Sequence, residues 1–439
     1  MEKKVSRLLM IFSLAVFLSC GFGSAEKKSI IEKIETDTIE SLILGTVDGD
    51  KIIINKDVDL KGNICKIPAE KTLVFKGGLI KNGVLHGSMT KIECKGKAFN
   101  RVTIKGSWDI PEISTKLFAD LSYENSLRDV VSLAHPKVKN KIVIEKSEYK
   151  VRAEKKPNVC IPICSNTDFI FKGIIRLVAN NLRGYNIIQA KGKNINIKGN
   201  GTIIGDKHTH TGTEGEWGMG IDLNEAINTT VSGLTIKDCW GDCIYVGGNS
   251  RNVLIEKCVL DHGRRQGVSV TKANGVIIRN CTITNVGGTA PEYAIDIEPN
   301  RPDSVDNILI ENVTVKKCEG GFDVTRKKTK YGARTPWIGN VVIKNSKVFS
   351  KSKVPIVVRR CENIKIEKCY LYAQKGWTAI TIMEAGKAVV KNNTASIDGS
   401  IIEKTINGAK RLVGKGADPI HVKTTGKSIV KNNKVVERE

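Results

Sequence analysis

Aromatic side chains make up only 5% of the 439 residues, and no basic helical stretch accompanies them. Proteins that grip single-stranded nucleic acid do so with stacked rings along a basic groove, so this scarcity argues against nucleic acid as a partner. Beyond the first 25 residues, no run approaches the roughly twenty apolar residues that a membrane-spanning helix requires. Cysteine is plentiful, at twelve residues. However, the pairs Cys160/Cys164 and Cys239/Cys243 have no histidine or further cysteine at ligand spacing beside them, which argues against zinc. The short His208-x-His210 motif near Asp206 is a weak hint of a metal, and no metal site is assigned on it.

The N-terminus reads as a processing signal over residues 1–25. Charges at Glu2, Lys3, Lys4 and Arg7 precede an apolar segment at 8–18, and Gly23-Ser24-Ala25 offers a small-residue cleavage site. An exported chain is expected, secreted or held at the cell surface. The sequence Phe17-Leu18-Ser19-Cys20-Gly21 resembles a bacterial lipoprotein box with Phe where Leu is usual, so a lipid anchor at Cys20 is the one expected membrane contact. The net charge of +24 is dominated by lysine. In an exported protein poor in aromatics it points to an acidic polysaccharide or another glycan as partner. Lysines that merely keep strand edges from pairing would account for much of the same excess.

The middle of the chain repeats itself. VLIEKCVL at 253–260, VIIRNCTI at 276–283 and ILIENVTV at 308–315 share one pattern, and each is followed after a turn by a second phrase: QGVSV at 266–270, YAIDI at 293–297 and GGFDV at 320–324. GLTIKDCWGDCIYVGG at 233–248 is an upstream copy. Alternating β-branched residues in runs of four to six make strands, and a unit this short buries its apolar face only by stacking on its neighbours. The expected fold is therefore all-β, a single-stranded right-handed parallel β-helix. Cys258, Cys281 and Cys369 fall at one position of the repeat, with Val313 and Ser346 at the same position elsewhere. A column mixing thiol, valine and serine predicts small inward side chains rather than disulfides.

Around this array, residues 26–120 read as N-terminal β-rich coils, with KGGLIKNGVLHG as tight turns between strands. In 121–165, Leu127, Val130, Val131 and Ala134 have helical spacing that ends before Pro136, predicting a short helix that caps the open end. Strand resumes at 141–151, and regular rungs are expected from 166 to 439, with an irregular excursion at 398–418. Inserts at 207–219, 287–292 and 327–337 are expected to gather on one face, where repeat proteins bind.

From about residue 45 the chain resembles the pectin-lyase-like β-helix superfamily, and the right-handed β-helix repeat proteins exported by Bacteroidetes-type bacteria. The phrases KGGLIKNGVLHG, GEWGMGI, WGDCIYVGG, HGRRQGVSV and IDIEPN carry the likeness. It implies the fold and a polysaccharide-directed role without choosing among lyases, hydrolases, epimerases and tailspikes. Compared with the polygalacturonase pattern, Met219 stands where an Asp is expected, Asp242 alone remains of an Asp-Asp pair, Gln266 replaces the His, and IDIEP replaces Arg-Ile-Lys. Pectin hydrolysis by that mechanism is not expected.

Aligning the second phrases predicts an outward column of Asp222, Tyr245, Ser269, Asp296, Asp323, Val357, Thr381 and His421. Asp296 and Asp323 would then lie about 4.8 Å apart on successive rungs, close enough for one to hold its proton unless Arg301 or Arg326 intervenes. Asp242, Asp296 and Asp323 are the carboxylates expected to do acid and base work. A Ca²⁺ site and plain solvated strand residues are the competing readings. In the turn at 261–267, His262 is a candidate base, and Arg264 and Arg265 would neutralise a substrate carboxylate. Trp217 and Trp240 are candidate sugar platforms. Tyr293, Asp222, Tyr245, Gln266, Glu298, Arg301 and Arg326 complete the expected site. An enzyme acting on an acidic polysaccharide, as lyase or hydrolase, leads a non-catalytic glycan-binding or adhesin-like protein.

Overall fold

Each rung turns a period-two pattern into a wall. In the strand Ser250–Glu256 the side chains of Val253 and Ile255 are buried while Leu254 and Glu256 face out. The next rung repeats the pattern, Val253 pairing with Val276 and Ile255 with Ile278. Identical inward residues stacked at about 4.8 Å give continuous aliphatic columns. The computed structural model describes residues 47–300, 302–327, 337–374, 377–397, 401–406, 409–414 and 419–437. It winds these rungs into a right-handed parallel β-helix whose main body has three sheets, of 13, 11 and 10 strands. One core of isoleucine, valine and leucine runs its length. The expected signal segment and Cys20 lie outside the described residues.

The cysteine column is inside, as the repeat predicts. Cys258, Cys281, Val313, Ser346 and Cys369 are all at most 2% exposed, and the Cys258 and Cys281 thiols sit against carbonyls of the rung before. Two features of the outer surface were not anticipated. Asparagines in left-handed conformation at one turn, Asn166, Asn194, Asn228 and Asn252, pass amide hydrogen bonds up the stack at 2.9, 3.4 and 3.0 Å. Asparagine tolerates this conformation better than most residues, and its side chain replaces the lost ladder bond. Beside it, Glu256, Arg279, Glu311, Lys344, Glu367 and Lys391 form a register column of alternating charge. Lys344 and Lys391 thus serve contacts between rungs, reaching Glu311 and Glu367 at 3.0 and 3.4 Å.

The regular stack starts earlier than residue 166. Asn140–Ile144 already pairs in parallel with Thr167–Phe171, and Glu112–Ser114 pairs with Asn140–Ile144. The expected helix forms at Ser126–Val131. It caps the opening edges of the two other sheets: Arg128 donates to the Cys160 and Val159 carbonyls at 2.9 and 2.8 Å, and the Asn125 N–H donates to the Lys150 carbonyl at 3.0 Å. Edge carbonyls that would otherwise recruit another strand are satisfied. The excursion at 398–418 contains an antiparallel hairpin, Ile401–Ile406 with Ala409–Gly414. Rung winding then resumes at Ile420–Thr424.

Candidate active site

The ten-stranded sheet carries the polar column, and its register matches the predicted one step by step. Asp222 pairs with Tyr245, Tyr245 with Ser269, Ser269 with Asp296, Asp296 with Asp323, and Asp323 with Val357. Ile295 and Ile297 point into the core, so Asp296 between them faces outward. It is nonetheless only 2% exposed, with the Gln266 side chain against it. What remains open is a cleft of about 340 Å³ with Tyr245, Ser269, Asp296 and Glu298 on the floor and Glu216, Trp217, Arg265 and Lys327 around it.

Two carboxylates share the cleft in opposite circumstances. Asp296 is held well above the usual carboxylate range by burial first, then by the charges of Asp323 and Glu298. Gln266 donates to it from the preceding rung at 2.9 Å. Glu298, two residues further along, is paired with Lys327 at 2.9 Å. A carboxyl whose proton is held more tightly than usual, beside an ion-paired carboxylate, is the division of labour that acid-base cleavage of an acetal needs. Trp217 stands half exposed at the rim, where an indole face can meet a sugar ring.

Several expected site residues lie elsewhere. Asp242 is fully buried behind the floor, where it accepts from Ser269 and lies 3.7 Å from Arg265. Burial raises it to about 6 against the pull of Arg265 and Ser269. Asp323 neighbours Asp296 but does not line the cleft; burial raises it, opposed by the Thr325 hydroxyl and by Arg359, whose guanidinium is 3.9 Å away. The cation beside this pair is Arg359, not Arg326, and Arg301 lies outside the described residues. Asp222 sits two rungs upstream of Ser269 and accepts from Asn186 and Gln189 at 2.9 and 2.8 Å.

The 261–267 turn splits its three candidates. Arg265 reaches the cleft, between Glu216 and Asp242. Arg264 does not: its guanidinium lies 3.7 Å from the centre of the Trp240 ring and donates to the Gly215 carbonyl at 2.9 Å. His262 is also away from the cleft. It bonds Asp261 at 2.8 Å, with the His208 ring 5.8 Å off. Tyr293 is buried under Lys353, whose ammonium is 5.8 Å from its ring centre, and burial and Asp323 raise its hydroxyl. Trp240, the other proposed sugar platform, is 9% exposed and belongs to the core. His208 and His210 diverge to Asp238 and Asp206, at 3.2 and 2.8 Å. Among the described residues no group of three or more His, Cys, Asp or Glu converges to hold a metal ion.

Glu216 and Lys327 were not singled out from the sequence. Each belongs to an insert, Glu216 within 207–219 and Lys327 at the start of 327–337, and Glu216 immediately precedes Trp217, which was the available signal.

Comparison with known proteins agrees with the fold. The family described as "Right handed beta helix region" matches residues 164–302. Uncharacterized protein YclG of Bacillus subtilis is 31% identical over 178 residues, 36% of this chain and 30% of that protein. The SPbeta prophage-derived uncharacterized protein YorA of the same organism is 28% identical over 162 residues, 31% of this chain and 28% of that protein. The chain thus spans less than a third of these relatives. Among solved structures, the A-module of mannuronan C-5 epimerase AlgE6 from Azotobacter vinelandii superposes with a TM-score of 0.55 at 13% identity, over 73% of this chain and 84% of that one. This is a likeness of fold. No helix among the described residues is long and apolar enough to cross a membrane.

Proposed function

We propose that this chain is an exported glycoside hydrolase that cleaves a polysaccharide laid across the cleft, with Asp296 as general acid and Glu298 as base or nucleophile. The observation that carries this reading is the buried Asp296, its carboxyl held above the usual range by burial, lining the same cleft as the Lys327-paired Glu298. Asp296 would give its proton to the glycosidic oxygen as the bond to the anomeric carbon breaks. Glu298 would take a proton from the attacking water, or attack that carbon itself. Arg265 steadies the carboxylates around it, and Trp217 holds a sugar ring.

β-Elimination is the weaker enzymatic reading, because His262 and Arg264, which were to supply its base and its carboxylate clamp, both face away from the cleft. For the substrate we favour an acidic polysaccharide, because a net charge of +24 gathers polyanions at the surface. Export rests on the signal-like residues 1–25, with anchoring through Cys20 as its surface-displayed form. A non-catalytic glycan-binding role is the second reading, favoured by the 2% exposure of Asp296.

The test is incubation with a panel of uronic-acid and neutral polysaccharides, read both as new reducing ends and as absorbance of unsaturated products. Reducing ends without absorbance support hydrolysis. Absorbance would replace it with elimination, and binding without either product would leave the non-catalytic reading.

A further inference from the structure

The wall of the cleft is clamped by a stack that no part of the chemistry above uses. The Trp240 indole is gripped from both sides. The His210 ring stacks on it at 3.8 Å between centres with 17° between planes, and the Arg264 guanidinium lies 3.7 Å from its centre. Both grips belong to the loop 206–217 or hold it. The His210 side chain is fully buried and fixed through Nδ1 to Asp206 at 2.8 Å, and Asp206 also accepts from the Tyr185 hydroxyl and from Asn180. Arg264 donates to the Gly215 carbonyl, one residue before Glu216 and two before Trp217. Lys207 ties the start of the loop to the Gly287 carbonyl at 2.9 Å. Gly215 has φ +89, and a Cβ there would come 2.2 Å from the Arg183 carbonyl, so the chain turns tightly at this point.

We propose that His210 and Arg264, acting through Trp240, are positioning residues that hold Glu216 and Trp217 at the rim of the cleft and thereby set its affinity for glycan. A planar cation and an imidazole on opposite faces of one indole are a directional clamp that a merely apolar contact would not give. The consequence for glycan rests on the cleft reading above; the clamp itself does not.

The experiment compares His210→Ala, Arg264→Ala, His210→Phe and Arg264→Lys with the parent by amide hydrogen exchange and by glycan kinetics. Both alanine variants should speed exchange of the 207–217 amides at least ten-fold while amides of 308–315 stay unchanged. His210→Phe, which keeps the stack, should stay within about three-fold of the parent, and Arg264→Lys, which loses the plane, should not. On a polysaccharide that the parent cleaves, Arg264→Ala should raise KM with kcat nearly unchanged. Unchanged exchange in both alanine variants overturns the clamp. Faster exchange also in 308–315 overturns it in favour of general destabilisation. Faster exchange confined to the loop, in a protein that cleaves and binds no glycan, upholds the clamp and sinks the proposed function alone.

Discussion

Asp242 should make the protein less stable as pH rises through the weakly acidic range, and Asp242→Asn should remove that dependence. The side chain is 0% exposed, and its carboxyl is raised from 3.8 to about 6, burial outweighing Arg265 and Ser269. A folded-state value above the unfolded one means that the native protein binds the proton more tightly. The contribution is therefore fully present below about pH 4 and is lost as pH rises toward and past 6. A shift of roughly two units at 1.36 kcal/mol each makes this about 3 kcal/mol between the two limits. Urea unfolding of the parent and of Asp242→Asn at a series of pH values from about 4 to 8, taken as a difference, cancels the groups the two proteins share. That difference should fall by a few kcal/mol from pH 4 to 7, to the disadvantage of the parent, and then level. A flat difference would show that Arg265 at 3.7 Å balances burial, and one that grows in favour of the parent that it outweighs burial; either way the account of the layer behind the cleft floor would fail.

Three further outcomes are expected. Asp296→Asn should leave stability near that of the parent at neutral pH, since an amide stands in for a protonated carboxyl and still accepts from Gln266; glycan cleavage should fall on the order of 10²–10⁴-fold in kcat, with Glu298→Gln similarly impaired. Trp217→Ala should weaken glycan binding roughly ten-fold, because re-covering on the order of 60 Å² of indole at ~25 cal/mol per Å² is worth about 1.5 kcal/mol; titration calorimetry checks this. Gly320→Ala should destabilise by roughly 1–3 kcal/mol in urea, because a Cβ there would come 2.4 Å from the Tyr293 ring on the facing rung.

Much of this molecule was legible because a β-helix converts sequence spacing into contact directly. The phrases at 253–260, 276–283 and 308–315 determine which residues face in, and parallel register then determines who touches whom, so that Asp296 and Asp323 were neighbours on paper before they were neighbours in space. The asparagine run and the alternating Glu256–Arg279–Glu311 column were equally present in the repeats but require asking which residues recur on the outside. The start of the regular stack was misplaced because Asn140–Ile144 has a long, Pro-containing approach that hides its match to Thr167–Phe171.

The site was legible on its floor and not on its walls, for one physical reason. A floor residue takes its direction from its strand, while a wall residue takes it from whatever partner the loop meets. Two adjacent arginines in a tight turn imply that each guanidinium is satisfied, and an anion is the partner that comes to mind. Only Arg265 found one; Arg264 found the face of Trp240, which serves a planar cation as well and costs no carboxylate. The same ambiguity moved His262 to Asp261. By turning Arg264 inward, the fold leaves Arg265 as the cation of that turn facing the cleft, flanked by Glu216 and Asp242. A charge already shared between two carboxylates is better suited to steadying protons on a cleft floor than to seizing a substrate's carboxylate, and this favours hydrolysis over elimination.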